Sequence, residues 1–189
     1  MTKQEIRKKY LNMRLALSEE EWSSKSQAIC DNFFSSIDLI HLFTIHVYLP
    51  LASKKEPDTQ LIIDKLQKDF PEIRISIPRI ENDQLVNFYY EGVQQLETNE
   101  WGISEPKFGE PTPTEKIDLV IVPLLAFDSM GNRVGYGKGF YDQFLKQCRP
   151  DCAKVGLSFF ESMSEQIPAE VHDMKLNEVM NPYQAISFK

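Results

Sequence analysis

The segment VGYGKGFYD, residues 134–142, combines three glycines with a lysine and an aspartate. Gly135, Gly137 and Gly139 alternate, so the backbone can turn sharply and aim several N–H groups at one point. A helix is expected to begin directly after the last glycine, and its first-turn amides and dipole favour an anion. Lys138 adds a mobile positive charge between the glycines. Residues 134–140, the glycine loop, therefore have the chemistry of a phosphate-binding loop.

The spacing of the glycine loop matches neither of the two common phosphate motifs. The P-loop pattern requires glycine where this chain has Asn132, and serine or threonine where it has Gly139. The third glycine of the dinucleotide fingerprint would fall on Phe140. From spacing alone, phosphate binding and a tight structural turn are both compatible with this loop.

Asp142, which closes the segment, has two interpretations. In the first turn of the expected helix its carboxylate complements the helix dipole, an effect of about 0.3–1 kcal/mol. Beside bound phosphates, the same carboxylate is a suitable oxygen ligand for Mg²⁺. Its position in the sequence is consistent with both.

A second group of candidate phosphate ligands lies near the start of the chain. Residues 1–17 carry five basic side chains and one acid, whereas the whole chain has a net charge of −7. On a helix that turns about 100° per residue, Lys3, Arg7 and Arg14 fall within about 40° of one another. These cations can line the wall of a pocket or form a solvated basic face. The adjacent apolar stripe consists of Ile6, Tyr10, Met13 and Leu17.

Four helices are predicted to surround these residues. The capping boxes TKQE and SEEE open a helix at Thr2 and a second helix over residues 19–36. The other two helices are predicted over residues 60–70, capped by Asp58 or Thr59, and over residues 140–148.

Strands alternate with these helices along the chain. They are predicted at residues 43–49, 73–78, 85–90, 118–123, 153–159 and 183–188. The unbroken apolar run DLVIVP is typical of a strand covered on both faces. The pattern predicts an α/β fold with a mainly parallel, doubly covered sheet, and the Pro- and Gly-rich residues 102–117 are interpreted as a surface excursion.

Composition limits the classes of function. The acidic excess argues against a general nucleic-acid or anionic-membrane surface. No apolar run approaches the roughly 18 residues of a membrane span, and MTKQEIRKKY lacks the hydrophobic region of a secretory signal. Cys30, Cys148 and Cys152 form no metal pattern and are interpreted as thiols in a reducing compartment. We expect one domain over residues 1–189, cytoplasmic and monomeric, with no nucleic-acid or membrane partner.

The chain resembles the 5-formyltetrahydrofolate cyclo-ligase (methenyltetrahydrofolate synthetase) family. The similar segments are KQEIRKKYLNMR, EPDT, WGISEP and above all VPLLAFDSMGNRVGYGKGFYDQFL, in the same order. The resemblance implies a three-layer α/β/α domain related to sugar-phosphate isomerases and CoA transferases. It also implies ATP- and Mg²⁺-dependent closure of 5-formyltetrahydrofolate to the 5,10-methenyl form through a phosphorylated formyl group, releasing ADP and phosphate.

The resemblance further implies roles for individual residues. Lys138 and Arg133 would be catalytic, supplying charge to the transferred phosphoryl group, and Asp142 and Asp173 would be Mg²⁺ ligands. ATP would contact Lys3, Gln4, Glu5, Ile6 and Arg7 of the first helix, and Arg133, Val134, Gly135, Tyr136, Gly137, Lys138, Gly139, Phe140 and Tyr141. The folate would contact Leu49, Glu56, Trp101, Tyr136, Gly137, Lys138, Gly139 and Phe140.

Several of these residues have a structural alternative. Trp101 can be a half-buried core aromatic, Glu56 can be a surface charge, and His172 is expected to be structural rather than a catalytic base. The chain also departs from the family pattern. It has Tyr136 where arginine is frequent, Phe140 where tyrosine is usual, and Asn177 where aspartate is frequent.

Two other classes of function remain compatible with the sequence. One is a sugar-phosphate isomerase or acyl-CoA transferase, because fold alone does not decide function. The other is a protein that binds a nucleotide or a folate without turnover.

Overall fold

The computed structural model describes residues 1–188, and its first two helices begin at the predicted capping boxes. Helix α1 spans Lys3–Leu15 and α2 spans Glu19–Ser36. At each start, the hydroxyl of the capping residue accepts the amide of the glutamate three residues later, and that carboxylate accepts the capping residue's amide. Both caps confirm the sequence prediction.

The apolar stripe predicted on α1 is confirmed only in part. Ile6 and Tyr10 are buried, whereas Met13 is 40% exposed. Arg14 is buried instead, because its guanidinium is surrounded by carbonyl and hydroxyl acceptors. A helical hydrophobic pattern treats arginine as an exposed polar residue. It therefore cannot predict that acceptors from distant segments allow Arg14 to be buried.

Helix α3 spans Gln60–Asp69 and α4 spans Phe140–Gln147. Thr59 stands at the start of α3, but its hydroxyl donates to the Tyr48 carbonyl at 2.6 Å rather than capping the helix. The Asp58 carboxylate accepts the Gln60 amide at 3.1 Å in its place. Of the two residues predicted to cap α3, Asp58 therefore accepts the helix amide and Thr59 binds the Tyr48 carbonyl.

The strands are short, and five of them were not predicted. The predicted ones are β1 (Thr44–His46), β2 (Arg74–Glu81), β3 (Gln84–Tyr89), β6 (Leu119–Pro123), β9 (Ala153–Leu157) and β11 (Ala185–Ser187). Those not predicted are β4 (Leu96–Thr98), β5 (Ser104–Pro106), β7 (Ala126–Phe127), β8 (Arg133–Val134) and β10 (Glu178–Met180). Two or three residues are too few to show an alternating pattern.

The central sheet has seven strands in the order β11-β10-β9-β6-β1-β2-β3. The five from β10 to β2 run parallel, and the two edge strands, β11 and β3, are antiparallel to their neighbours. Ile45 in β1 lies opposite both Ile75 in β2 and Leu119 in β6. The predicted mainly parallel sheet is confirmed.

Helices cover both faces of this sheet. In β6, Leu119 and Ile121 face the cluster that includes α2 and α3, whereas Val120 and Val122 face the cluster that includes α4. This alternation follows from the two-residue period of a strand and accounts for the unbroken apolar run. Helix α1 lies apart from these layers and packs through Ile6 on the β7–β8 hairpin.

Residues 102–117 are only partly the surface excursion that was expected. β5 lies within them and pairs with β4 as an antiparallel ribbon. Further on, the Tyr89 amide donates to the Glu110 carbonyl at 2.9 Å, so the segment also covers the outer edge of β3. Within residues 1–188, no helix combines the length and the apolar character that crossing a membrane requires.

Candidate active site

A cavity of about 770 Å³ opens beside the carboxyl ends of β1, β2 and β6. This is the edge at which open α/β sheets usually bind ligands, and the volume suits a small-molecule site. The walls come from α1, the turn after β1, the β2–β3 hairpin, the β4–β5 ribbon and the glycine loop with the start of α4. The site is therefore assembled from segments that are distant in sequence.

The glycine loop is fastened to α1. Arg7 Nε donates to the Gly135 carbonyl at 3.0 Å. Gly137 has φ +89°, and a Cβ atom placed on it would lie 2.9 Å from Arg7 Cζ. Gly139 has φ +72° at the start of α4, and apart from Gly139 and its two chain neighbours no heavy atom of residues 1–188 lies within 4 Å of the position that a Cβ atom would take there. Two of the alternating glycines are thus required by left-handed backbone, and Gly137 also by the close approach of Arg7.

The cations of the site differ in how they are engaged. The Lys138 side chain is exposed and forms no ion pair with any residue in the range 1–188. Arg133 is nearly buried, donating to the Met174 carbonyl and to Asp142 Oδ1, the latter at 2.9 Å. Lys138 is consequently free to meet an anion, whereas Arg133 already has partners.

The Lys3 ammonium is paired at the same cavity. Its Nζ lies 2.6 Å from Asp173 Oδ2 and 3.1 Å from Glu170 Oε1. Burial alone would lower the pKa of Lys3, but the hydrogen bonds to both carboxylates outweigh it and raise the pKa. Burial conversely acts to raise the pKa of Asp173, but the hydrogen bonds from Lys3 and the Glu170 amide and the nearby positive charge together outweigh it, so that this pKa is lowered.

Asp142 and Asp173 both line the cavity and are compatible with a magnesium ion. Each uses one carboxylate oxygen for the protein, Oδ1 in Asp142 and Oδ2 in Asp173. The other oxygen of each makes no hydrogen bond within residues 1–188. No group of three or more His, Cys, Asp or Glu side chains suited to a metal occurs in that range. Mg²⁺ commonly binds to one or two carboxylates together with substrate phosphates and water, so the donors fit.

Glu56 also lines the cavity and is almost fully buried. Its Oε2 accepts the Leu51 amide at 2.7 Å, and its Oε1 accepts the Tyr136 hydroxyl at 2.7 Å. Arg14 Nη2 donates to the same hydroxyl. Burial raises the pKa of Glu56, while the two hydrogen bonds and the Arg14 charge oppose that change. The surface-charge interpretation of Glu56 is therefore wrong.

The remaining wall is apolar and carries Trp101. Its side chain is 64% exposed at the tip of the β4–β5 ribbon, so the core interpretation is wrong. Asn99 Oδ1 accepts the amides of Trp101 and Ile103, each at 3.0 Å, which fixes the tip. Leu49, after β1, is buried and also lines the cavity. An exposed indole on a fixed turn is available for stacking.

A buried histidine supports the start of α4, and no pattern in the sequence indicated this contact. His46 Nε2 lies 3.0 Å from the Tyr141 hydroxyl. Burial lowers the pKa of His46 to about 3, with the Asn87 side chain opposing in part. Burial, followed by the Glu56 charge, raises the pKa of Tyr141 well above its ordinary value. Both rings are therefore neutral over the physiological range.

The structure does not bring every predicted residue to the cavity. Gln4 and Glu5 are exposed, with Glu5 occupied in the α1 cap, and Ile6 is in the core. His172 is exposed, with Nε2 3.2 Å from Glu170 Oε2. Asn177 bonds to the Lys154 backbone in the sheet. The lining residues among those predicted are Lys3, Arg7, Leu49, Glu56, Trp101, Arg133, Val134, Gly135, Tyr136, Gly137, Lys138, Gly139, Phe140, Tyr141, Asp142 and Asp173.

Known proteins resemble this chain over most of its length. A model of the 5-formyltetrahydrofolate cyclo-ligase family matches residues 1–182. The mouse 5-formyltetrahydrofolate cyclo-ligase is 31% identical, covering 90% of this chain and 89% of the mouse protein. The Escherichia coli K12 cyclo-ligase is 28% identical, covering 89% and 94%. The Aquifex aeolicus 5,10-methenyltetrahydrofolate synthetase structure superimposes with a TM-score of 0.83 at 29% identity, covering 100% of this chain and 94% of that chain.

Proposed function

The chain belongs to the 5-formyltetrahydrofolate cyclo-ligase family, and from that premise we propose that it closes 5-formyltetrahydrofolate to 5,10-methenyltetrahydrofolate. The reaction consumes ATP and releases ADP and phosphate. A formamide oxygen is a poor leaving group, so the ring cannot close directly. Phosphorylation of that oxygen removes the obstacle.

The proposed reaction has two steps. The formyl oxygen attacks the γ-phosphorus of ATP and ADP leaves, which gives a reactive iminium phosphate. The neighbouring anilino nitrogen then attacks the formyl carbon, loses its proton, and phosphate departs with the former formyl oxygen. Since no protein atom forms a covalent bond, the chain contributes positioning and neutralisation of charge.

The glycine loop is the proposed triphosphate site. Its backbone amides and the first turn of α4 would donate to phosphate oxygens, with Lys138 and Arg133 neutralising the charge that develops on the transferred group. Arg7, which bonds to the Gly135 carbonyl, and Lys3, which is paired with Asp173 and Glu170, line the same cavity and would contact the phosphates from α1. Gln4, Glu5 and Ile6 are not among the residues that line the cavity. An ATP contact for these three is supported only by their position between Lys3 and Arg7 in α1.

Asp142 and Asp173 would hold the magnesium ion, which when bound screens the negative charge of the triphosphate. In the free protein these carboxylates are paired with Arg133 and Lys3. The same two ion pairs keep the carboxylates oriented toward the cavity before a nucleotide arrives.

The folate would lie against the part of the cavity that Glu56, Trp101 and Leu49 line. The Glu56 carboxylate has further acceptor capacity and can receive N–H groups of the pterin ring. Trp101 offers a stacking surface and Leu49 an apolar contact. Because residues 136–140 line the cavity and Tyr136 bonds to Glu56, the same loop can meet nucleotide and folate.

One observation carries the proposal. The Tyr136 hydroxyl in the glycine loop lies 2.7 Å from the Glu56 carboxylate. The proposed phosphate site and the proposed pterin site are therefore in direct contact, as transfer of a phosphoryl group between two bound substrates requires.

The test is a turnover assay. Purified protein is mixed with Mg²⁺, ATP and 5-formyltetrahydrofolate, and the methenyl product is followed by its near-ultraviolet absorbance, with ADP and phosphate measured in parallel. We expect product, ADP and phosphate in equal amounts. Product without ATP, or none with it, would overturn the proposal. Binding of both ligands without product would identify a non-catalytic binding protein.

A further inference from the structure

Glu56 and Tyr136 are 80 positions apart in the chain, yet both line the cavity and their side chains share a hydrogen bond. Glu56 is 6% exposed, so its charge is largely removed from water. A buried carboxylate stays ionised only when donors or cations replace the lost hydration. The donors around the carboxylate therefore decide whether Glu56 is ionised.

The groups around the Glu56 carboxylate come from four elements. Arg14 reaches it from α1 as the charged neighbour, and Tyr136 reaches it from the glycine loop. Tyr48 follows β1 and Tyr141 lies in the first turn of α4, and burial, with the Glu56 charge after it, raises the pKa of both hydroxyls. The nearby turn contributes the Leu51 amide to Oε2. Only Tyr136 donates a side-chain hydrogen bond to the carboxylate within residues 1–188.

Arg14 bonds to the Tyr136 hydroxyl rather than to the Glu56 carboxylate. Its Nε donates to the Lys54 carbonyl at 2.8 Å, its Nη1 to the Leu124 carbonyl at 3.2 Å, and its Nη2 to the Tyr136 hydroxyl. Since Arg14 already donates to that hydroxyl oxygen, the hydroxyl proton is directed to Glu56 Oε1. A hydrogen-bonded chain thus connects Arg14 on α1 to Glu56 through the Tyr136 hydroxyl.

We propose that Tyr136 is a positioning residue, whose hydroxyl keeps the Glu56 carboxylate ionised and oriented to receive the N–H groups of the folate. The expected effect on folate binding rests on the proposed function. The first measurement, the titration of Glu56 in the free protein, does not.

The first measurement is the titration of Glu56 in the free protein. Protein labelled with ¹³C at glutamate carboxyl carbons is titrated by NMR, and the Glu56 signal is assigned with Glu56→Gln. In Tyr136→Phe we expect Glu56 to titrate at higher pH than in wild type. Tyr141→Phe is the matched control, because its hydroxyl bonds to His46 instead. An unchanged Glu56 titration in Tyr136→Phe would overturn the proposal.

The second measurement is KM for 5-formyltetrahydrofolate across pH. Binding that needs ionised Glu56 weakens as pH falls through the pKa of Glu56, and raising that pKa moves the loss to higher pH. In Tyr136→Phe we expect an increase of about tenfold in this KM at the acid end of the profile, with kcat and KM for ATP changed less. An equal rise in both KM values would assign Tyr136 to general loop structure and overturn the proposal. Absence of turnover in wild type would overturn the proposed function alone.

Discussion

Arg7 Nε on α1 lies 3.0 Å from the carbonyl oxygen of Gly135, so the first helix and the glycine loop form one unit. The contact joins residues 128 positions apart, and it places the Arg7 guanidinium where a Cβ atom on Gly137, two residues further, would have to displace it. The proposed phosphate site is therefore built from two segments that are distant in the sequence and joined by this hydrogen bond.

Gly137→Ala tests this relationship. Both Gly137 and Gly139 have positive φ, so alanine strains the backbone at either position, by about 1–2 kcal/mol. Only at Gly137 does the new Cβ also displace the Arg7 guanidinium. We expect KM for ATP to rise more in Gly137→Ala than in the matched control Gly139→Ala, measured in the turnover assay. Equal effects would show that Arg7 takes no part.

Lys138→Ala is expected to lower kcat by about 100-fold or more, since a donor aimed at developing charge contributes on that scale. The fold should be unaffected, because Lys138 is exposed and has no ion pair in the described part of the chain. Lys146→Ala removes the same charge from the exposed face of α4 and should keep wild-type turnover. A Lys138→Ala rate equal to that of Lys146→Ala would remove Lys138 from the mechanism.

Asp128→Ala is expected to destabilise the protein by about 3 kcal/mol or more. This buried carboxylate accepts four hydrogen bonds, from the amides of Met130, Asn132 and Ile167 and from Asn132 Nδ2. It thereby joins the β7–β8 hairpin to a later segment. Urea unfolding measures the loss, and exposed Asp31→Ala should stay within about 0.5 kcal/mol of wild type. A similar small change at Asp128 would contradict the network.

Tyr48→Phe is expected to stabilise the free protein by about 1 kcal/mol. The Tyr48 hydroxyl is buried and has no hydrogen-bond partner in residues 1–188, so its removal relieves a desolvation cost. The measurement is the midpoint of urea unfolding. A loss of stability would mean that a water molecule or another group satisfies this hydroxyl.

His46 predicts a pH dependence of stability. Its folded pKa is about 3 against an ordinary value of 6.5, so between these values the unfolded chain binds a proton that the native chain does not. The His46 contribution is therefore present above pH 6.5 and is lost as pH falls toward 3, at up to about 1.4 kcal/mol per pH unit. His46→Gln should flatten this slope in urea unfolding, whereas exposed His41→Gln should not. Identical slopes for His46→Gln and wild type would contradict the buried neutral imidazole.

Local features of the sequence predicted much of the fold. The capping residues Thr2 and Ser18 fixed two helix starts, and the apolar run DLVIVP indicated a doubly covered strand. The ribbon formed by β4 and β5 was missed because strands of three residues carry no periodicity. Short elements of this kind are specified by their neighbours rather than by their own residues.

The sequence predicted many of the residues that line the candidate site, but not the hydrogen bonds that join them. The glycines and cations are visible in the sequence, whereas the Arg14–Tyr136–Glu56 chain joins three distant segments. No pattern within one segment encodes such contacts. The single domain, the monomeric state, the cytoplasmic location, the magnesium ion and the relation to sugar-phosphate isomerases stay predictions.

The central claim is that the glycine loop binds the triphosphate with its terminal group facing a reduced folate. A crystal structure with a non-hydrolysable ATP analogue, Mg²⁺ and 5-formyltetrahydrofolate tests it most directly. We predict triphosphate density against residues 134–140 and Lys138, with the pterin at Glu56. Nucleotide density at any other place, with this loop empty, would contradict the account.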